Sequence, residues 1–358
     1  MKISLLCFTE RGFQTEKKLT EILRTEAHTA CPYVMGKYAL QAASTDHSVS
    51  FSPVREGGLS TWTGERFEDS DAILFIGACG IAVRALAPHI RDKRTDPAVL
   101  VADESGKYMI PILSGHLGGA NGLAAMLAER LGAEAIITTA TDVNRKFAVD
   151  VFAKEHGLII DSMKLAKEIS AEILAGSLVG VFSDFPLGSR IPAELSRDTI
   201  CGRNLRITVW KKEKEEKDRM LKLIPRCVAL GIGCRRGTSK EKIREMYGQF
   251  LEENRLDPRS VWAVASIDLK SGEPGLCEFT KELGVPFLTY TAEELKTAPG
   301  AYEESEFVRS TTGVGNVCER AAVLACMEGA KKACVLVKKH AACGVTLAAA
   351  CFYPELFA

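Results

Sequence analysis

The sequence predicts a multi-domain α/β protein, with layered α/β amino-terminal and carboxy-terminal domains joined by a smaller α/β middle region. Three observations predict it. The 358 residues are long for one compact domain. Short continuous apolar runs alternate with amphipathic segments toward both ends of the chain, as buried parallel strands alternate with the helices that cover them. A mixed charge run, KKEKEEKDRMLK at 211–222, interrupts the alternation and reads as a solvated linker, ten of its twelve residues being charged. The expected domains are 1–141, a middle region with its charged linker at 142–222, and 223–358.

Each element has its own signal. KISLLCF (2–8) and AILFI (72–76) read as buried strands. The second ends in a glycine turn, GACGIAVRALAP (77–88), that enters a short helix stopped by Pro88. PAVLVAD (97–103) and YMIPIL (108–113) flank the turn ESGK and predict a hairpin. Leu123, Leu127 and Leu131 lie at helical spacing before Gly132, and AIITTAT (135–141) reads as a strand. In the middle region, LAKEISAEILAG (165–176) predicts an amphipathic helix and SLVGVFSD (177–184) a strand. Beyond the charge run, CVALGIG (227–233), VWAVASI (261–267), PFLTYT (286–291) and ACVLVKK (333–339) are strands, and VCERAAVLACMEGA (317–330) a helix. Thr238 with Glu241, and Thr291 with Glu294, have the spacing of capping boxes.

Composition excludes several classes. Forty-six basic residues balance 46 acidic ones, so the basic excess of a general nucleic-acid binder is lacking. No run approaches the ~18 apolar residues of a membrane span, and the apolar start is cut short by Glu10 and Arg11, which predicts a cytoplasmic protein without a membrane partner. The 12 cysteines are scattered from Cys7 to Cys351 without C-x-x-C pairs or zinc-finger spacing, and read as small buried hydrophobes.

Four glycine-rich turns draw attention. LGIGCRRGTS (230–239) spaces Gly231, Gly233 and Gly237 one residue too widely for a dinucleotide fingerprint, and no P-loop pattern occurs. A strand-to-helix turn of this kind still offers N–H groups to an anion, with Arg235 and Arg236 adding charge. A plain tight turn with solvated arginines is an equal alternative. Gly77, Gly80 and Arg84 repeat the arrangement in 77–88, with the same alternative. In SGHLGGAN (114–121), His116 lies among Ser114, Gly115, Gly118 and Gly119, with Asn121 beyond. Small residues admit a large ligand to the backbone, and histidine carries protons near neutral pH. The functional reading is preferred here, because the glycines themselves need a reason. In TTGVGNVCERAA (311–322), Gly313 and Gly315 precede a helix with Glu319 in its first turn; Glu319 is a candidate acid or base, or a carboxylate that the helix end stabilises. His340 is adequately explained as a turn residue between strands. No nucleophile elbow or serine triad order is present.

Seven segments occur here in one order: GACGIAVRALAP, SGHLGGANGLA, TTATD, LGIGCRRG, SIDLK with GEPGL, TGVGNVCERAA and KKHAACGVT. Together they resemble the cobalt-precorrin-5A hydrolase family of anaerobic cobalamin biosynthesis, over nearly the whole chain and least clearly over 142–222. The resemblance implies opening of the ring A δ-lactone of a cobalt-tetrapyrrole and loss of a two-carbon fragment as acetaldehyde. It implies no organic cofactor and no catalytic metal, the cobalt arriving with the substrate. For that chemistry His116 is the first choice of base and Glu319 the second. Arg84, Arg235, Arg236 and the glycine-turn N–H groups would meet the substrate's carboxylates. A homodimer and transient contact with neighbouring pathway enzymes are both compatible with the chain. The other class of reading is a non-catalytic tetrapyrrole carrier or partner subunit.

Overall fold

The apolar alternation near the amino terminus resolves into the two faces of one sheet. The computed structural model describes residues 1–357 except 46–48, 55, 56, 93, 94, 117, 145, 212–218, 330 and 331. The chain divides into two compact units, residues 1–146 and 147–358. The first contains β1 (Lys2–Cys7), α1 (Glu10–Thr25), β2 (Thr29–Val34), α2 (Lys37–Thr45), β3 (Ser52–Pro53), α3 (Gly58–Asp69), β4 (Ala72–Ile76), α4 (Cys79–Leu86), β5 (Ala98–Ala102), β6 (Tyr108–Leu113), α5 (Ala120–Leu131), β7 (Glu134–Ala135) and α6 (Ala140–Val143). The strands form one sheet in the order β3-β2-β1-β4-β5-β6-β7. Side chains alternate across it. Ile3, Leu5 and Cys7 face α1 and α5 with Phe13, Leu19 and Leu127, whereas Leu6, Ile73 and Phe75 face α3 and α4 with Trp62 and Ala82.

β6 runs antiparallel to β5, as the hairpin reading expects. The strand expected over 135–141 is shorter. Ile136 N–H still donates to Met109 O at 2.9 Å, but the Asn121 amide engages Thr139 Oγ1 at 2.9 Å and the chain turns into α6.

The second unit contains α7 (Val149–Glu155), β8 (Leu158–Ile160), α8 (Met163–Leu174), β9 (Val179–Ser183), β10 (Leu195–Arg197), β11 (Asn204–Ile207), β12 (Met220–Pro225), β13 (Val228–Cys234), α9 (Lys240–Glu253), β14 (Val261–Ile267), α10 (Pro274–Leu283), β15 (Phe287–Tyr290), α11 (Ala292–Lys296), α12 (Glu306–Thr312), α13 (Cys318–Gly329), β16 (Ala333–Ala342) and β17 (Val345–Phe352). They form two sheets, β10-β9-β11-β12-β8 and β15-β14-β13-β17-β16. In β13, Val228, Leu230 and Ile232 face α9 and α10, while Ala229 faces α13. The small-residue face has a cause: a Cβ on Gly231 would lie 1.7 Å from the carbonyl oxygen of Cys318 in α13.

The charge run needs correction at its end. Residues 212–218 lie outside the described residues, but Met220–Lys222 open β12. Lys222 is 2% exposed, its Nζ donating to Asp257 Oδ2 at 2.6 Å. Burial alone would raise the Asp257 carboxyl, yet hydrogen bonds from Arg259 and Lys222 hold it at about 2. The boundary drawn at 222/223 therefore falls inside a strand, and one hydrophobic cluster runs from Val149 to Phe357.

The capping box at Thr291 and Glu294 forms as read. That at Thr238 and Glu241 does not: Ser239 caps α9, and Thr238 Oγ1 donates back to Arg235 O at 2.7 Å. His340 lies on β16, not in a turn between strands. No helix among the described residues is long and apolar enough to cross a membrane.

Candidate active site

The parallel strands β13 and β14 end together, and antiparallel β17 begins beside them. A crevice outside the carboxyl ends of parallel strands is where open α/β sheets bind ligands. Here it holds a cavity of about 670 Å³. Its floor is Gly233 and Cys234 of β13 with Ser266 and Ile267 of β14; its sides are the β16–β17 turn, Val317 and α12. That volume is ordinary for a small-molecule site.

Three cations line the cavity: Arg235, Arg236 and Lys270. Local hydrogen bonds set this edge. Arg235 N–H donates to Gly344 O at 3.0 Å, joining the β13 turn to the β16–β17 turn. Gly344 has φ +80°, and a Cβ there would press on the Arg235 side chain at 3.1 Å. Lys270 Nζ donates to Glu273 at 2.8 Å, and Glu273 also accepts from Gly237 N–H at 2.6 Å. The bond from Lys270, with that N–H, holds the Glu273 carboxyl below the usual range. Burial pushes the Cys234 thiol up, keeping it a neutral wall.

Of the residues singled out in this unit, Gly233, Arg235 and Arg236 line the cavity. Gly313 and Gly315 have structural reasons beside it: Gly313 ends α12 at φ +80°, and a Cβ on Gly315 would meet Glu304 Oε2 at 2.0 Å. Glu319 is 5% exposed, and its Oε1 accepts from the backbone N–H of Lys339 on β16 at 2.7 Å. It ties α13 to β16. Sequence reasoning missed Lys270 and Phe307. Lys270 ends the quoted segment SIDLK, so its signal was present; Phe307 belongs to no motif.

In the first unit the two glycine turns stand at opposite ends of β5. Gly77 follows β4, and its N–H donates to Ala102 O at the end of β5 at 2.8 Å. Ser114 follows antiparallel β6, and its Oγ donates to Asp96 O, just before β5 begins, at 3.0 Å. The length of β5, about 15 Å, separates them. Gly80 and Arg84 lie one turn apart on α4, with Arg84 exposed. The glycines around His116 serve the loop itself. A Cβ on Gly118 would meet Ser114 Cβ at 2.3 Å, one on Gly115 would meet Asn121 Oδ1 at 2.7 Å, and Gly119 has φ +88°. His116 O accepts from Gly119 N–H at 3.0 Å, and Asn121 N–H donates to Gly115 O at 3.0 Å. The glycines thus have a reason in the loop's own fold, which corrects the argument that they clear room for a ligand. Among the described residues no group of three His, Cys, Asp or Glu side chains is arranged to hold a metal ion.

Three family profiles match successive parts of the chain: Cobalamin synthesis G N-terminal over 61–142, Cobalamin biosynthesis central region over 147–225, and Cobalamin synthesis G C-terminus over 228–350. The cobalt-precorrin-5A hydrolase of Salmonella typhimurium is 35% identical over 333 residues, 90% of this chain and 91% of that one. The cobalt-precorrin-5A hydrolase of Priestia megaterium is 30% identical over 338 residues, 90% of this chain and 88% of its own. A solved structure of a cobalamin biosynthesis protein G homolog from Sulfolobus solfataricus aligns over 98% of this chain and 97% of its own, at 21% identity and a TM-score of 0.40.

Proposed function

The chain belongs to the cobalt-precorrin-5A hydrolase family, and from that premise we propose how its residues serve the reaction, hydrolysis of the ring A δ-lactone of cobalt-precorrin-5A with release of acetaldehyde to give cobalt-precorrin-5B. The observation that carries the reading is 35% identity sustained over 90% of the chain.

Water adds to the lactone carbonyl, the acyl C–O bond breaks, and a carboxylate and a hydroxyl result. The hydroxyl then loses its proton as the adjoining carbon–carbon bond breaks. Acetaldehyde leaves, and the electron pair passes into the conjugated macrocycle, where a proton quenches it. His116, in the first unit, is the residue we assign as base, on the ground of its side-chain chemistry, since histidine carries protons near neutral pH. Glu319 we assign to positioning, since its carboxylate is already engaged by Lys339 N–H. Within the second unit, Arg235 and Arg236 would meet a carboxylate with their guanidinium groups beside Gly233, the N–H groups of Arg235 and Gly237 being already taken by Gly344 O and Glu273. Arg84 and His116 are not asked to act on one group, because their turns lie at opposite ends of β5.

The reading requires no resident cofactor or metal, places the reaction in the cytoplasm, and involves a small-molecule partner rather than nucleic acid. Purified protein given cobalt-precorrin-5A should release acetaldehyde and yield the ring-opened product by mass. Tight binding without acetaldehyde would sink it in favour of a carrier.

A further inference from the structure

One wall of the cavity is apolar in a way the proton transfers leave unexplained. Phe307 lines the cavity yet is 80% exposed. Its helix, α12, buries none of its seven residues, and only Val308 leans on the neighbouring hydrophobic cluster. Positive-φ glycines bound the segment, Gly300 at +128° and Gly313 at +80°. The base is pinned: Ser305 N–H donates to Gly315 O at 2.9 Å, and Arg309 and Arg320 both reach Glu304 at 2.9 Å. The helix is therefore held in place while its phenyl ring gives nothing to the protein's own core. Exposure by itself would need no explanation, Ile200 being 82% exposed; the position of the ring on the cavity beside three cations is what sets Phe307 apart.

The same cavity carries Arg235, Arg236 and Lys270. Lys270 has three donors, and its bond to Glu273 fixes the ammonium in place with others to spare. An aromatic wall and a cationic edge together suit a ligand with a flat apolar face and carboxylates at its rim. We propose that Phe307 is a binding residue for the macrocycle, its ring covering the conjugated face while Lys270 joins Arg235 and Arg236 on the carboxylates. The identity of the ligand rests on the hydrolase reading above; the pose rests on the cavity.

Phe307→Ala separates the two. The side chain is 80% exposed in the free protein, so Tm should change little. KM for cobalt-precorrin-5A, followed by acetaldehyde release, should rise about 10- to 100-fold with kcat within about twofold of wild type. Phe307→Trp keeps an aromatic face and should keep KM near wild type, with indole emission quenched on substrate binding. A Phe307→Ala enzyme with unchanged KM, or a Phe307→Trp enzyme whose emission ignores substrate, overturns the pose and leaves the hydrolase standing. A wild-type protein that releases no acetaldehyde overturns both.

Discussion

Two glycine turns that look alike in sequence do different work in the two units. In 114–121 the small residues let the loop fold onto itself, Gly118 against Ser114 and Gly115 against Asn121. In 231–237 they serve strand packing and leave the turn open on a cavity, with Gly231 receiving the backbone of α13. A cluster of glycines thus reports close approach of backbone to something, but not whether that something is a ligand or the chain itself. The functional weight then passes to the side chain each turn displays: a histidine in the first unit, two arginines in the second.

The largest effect expected is on the histidine. His116→Asn keeps size and hydrogen bonding but removes the base, so the hydrolysis rate should fall about 10²–10⁴-fold with folding and binding retained. Any acidic limb of the wild-type pH profile that belongs to the base should vanish in the variant. A near-normal rate with the same limb would reduce the first turn to a structural loop.

The glycines themselves can be compared directly. Gly231→Ala drives a methyl into the Cys318 carbonyl at 1.7 Å, backbone against backbone between a central strand and a helix. It should cost about 3 kcal/mol or more of stability by urea unfolding. Gly118→Ala meets Ser114 Cβ at 2.3 Å and Ser114 O at 2.5 Å, in a half-buried loop outside the strand–helix core, and about 1–3 kcal/mol is expected. Equal losses would mean that both turns are equally rigid and break the contrast.

The smallest effect concerns the displayed cations. Arg235→Ala should weaken substrate binding by about 1–3 kcal/mol and leave Tm unchanged, because the contribution is a charge-assisted hydrogen bond to the ligand. Titration calorimetry with substrate at low turnover reads it, and unaltered affinity would leave the second turn as solvated charge.

Much of the fold was legible because burial on both faces writes itself as continuous apolar runs: AILFI, VALGIG and VWAVASI are all strands in place. The Thr291–Glu294 cap was legible because both of its partners are local. What failed depended on distant partners. Lys222 looks like linker charge until Asp257, 35 residues on, takes its ammonium. Thr139 looks like strand until Asn121 captures it. Thr238 lost the cap to its neighbour because its hydroxyl found the Arg235 carbonyl first. At the site, the arginines announced themselves by lying in a turn, whereas Phe307 had no periodicity or spacing to betray it.

The Lys222–Asp257 pair bears on how far this chain can be taken apart. The lysine belongs to β12 in one sheet, and the aspartate precedes β14 in the other. Both are buried, and the bond between them joins the two sheets. The charge run therefore leads into a seam that one buried ion pair crosses. Recombination with related chains at Lys146–Phe147, where the two compact units meet in sequence, leaves that pair intact.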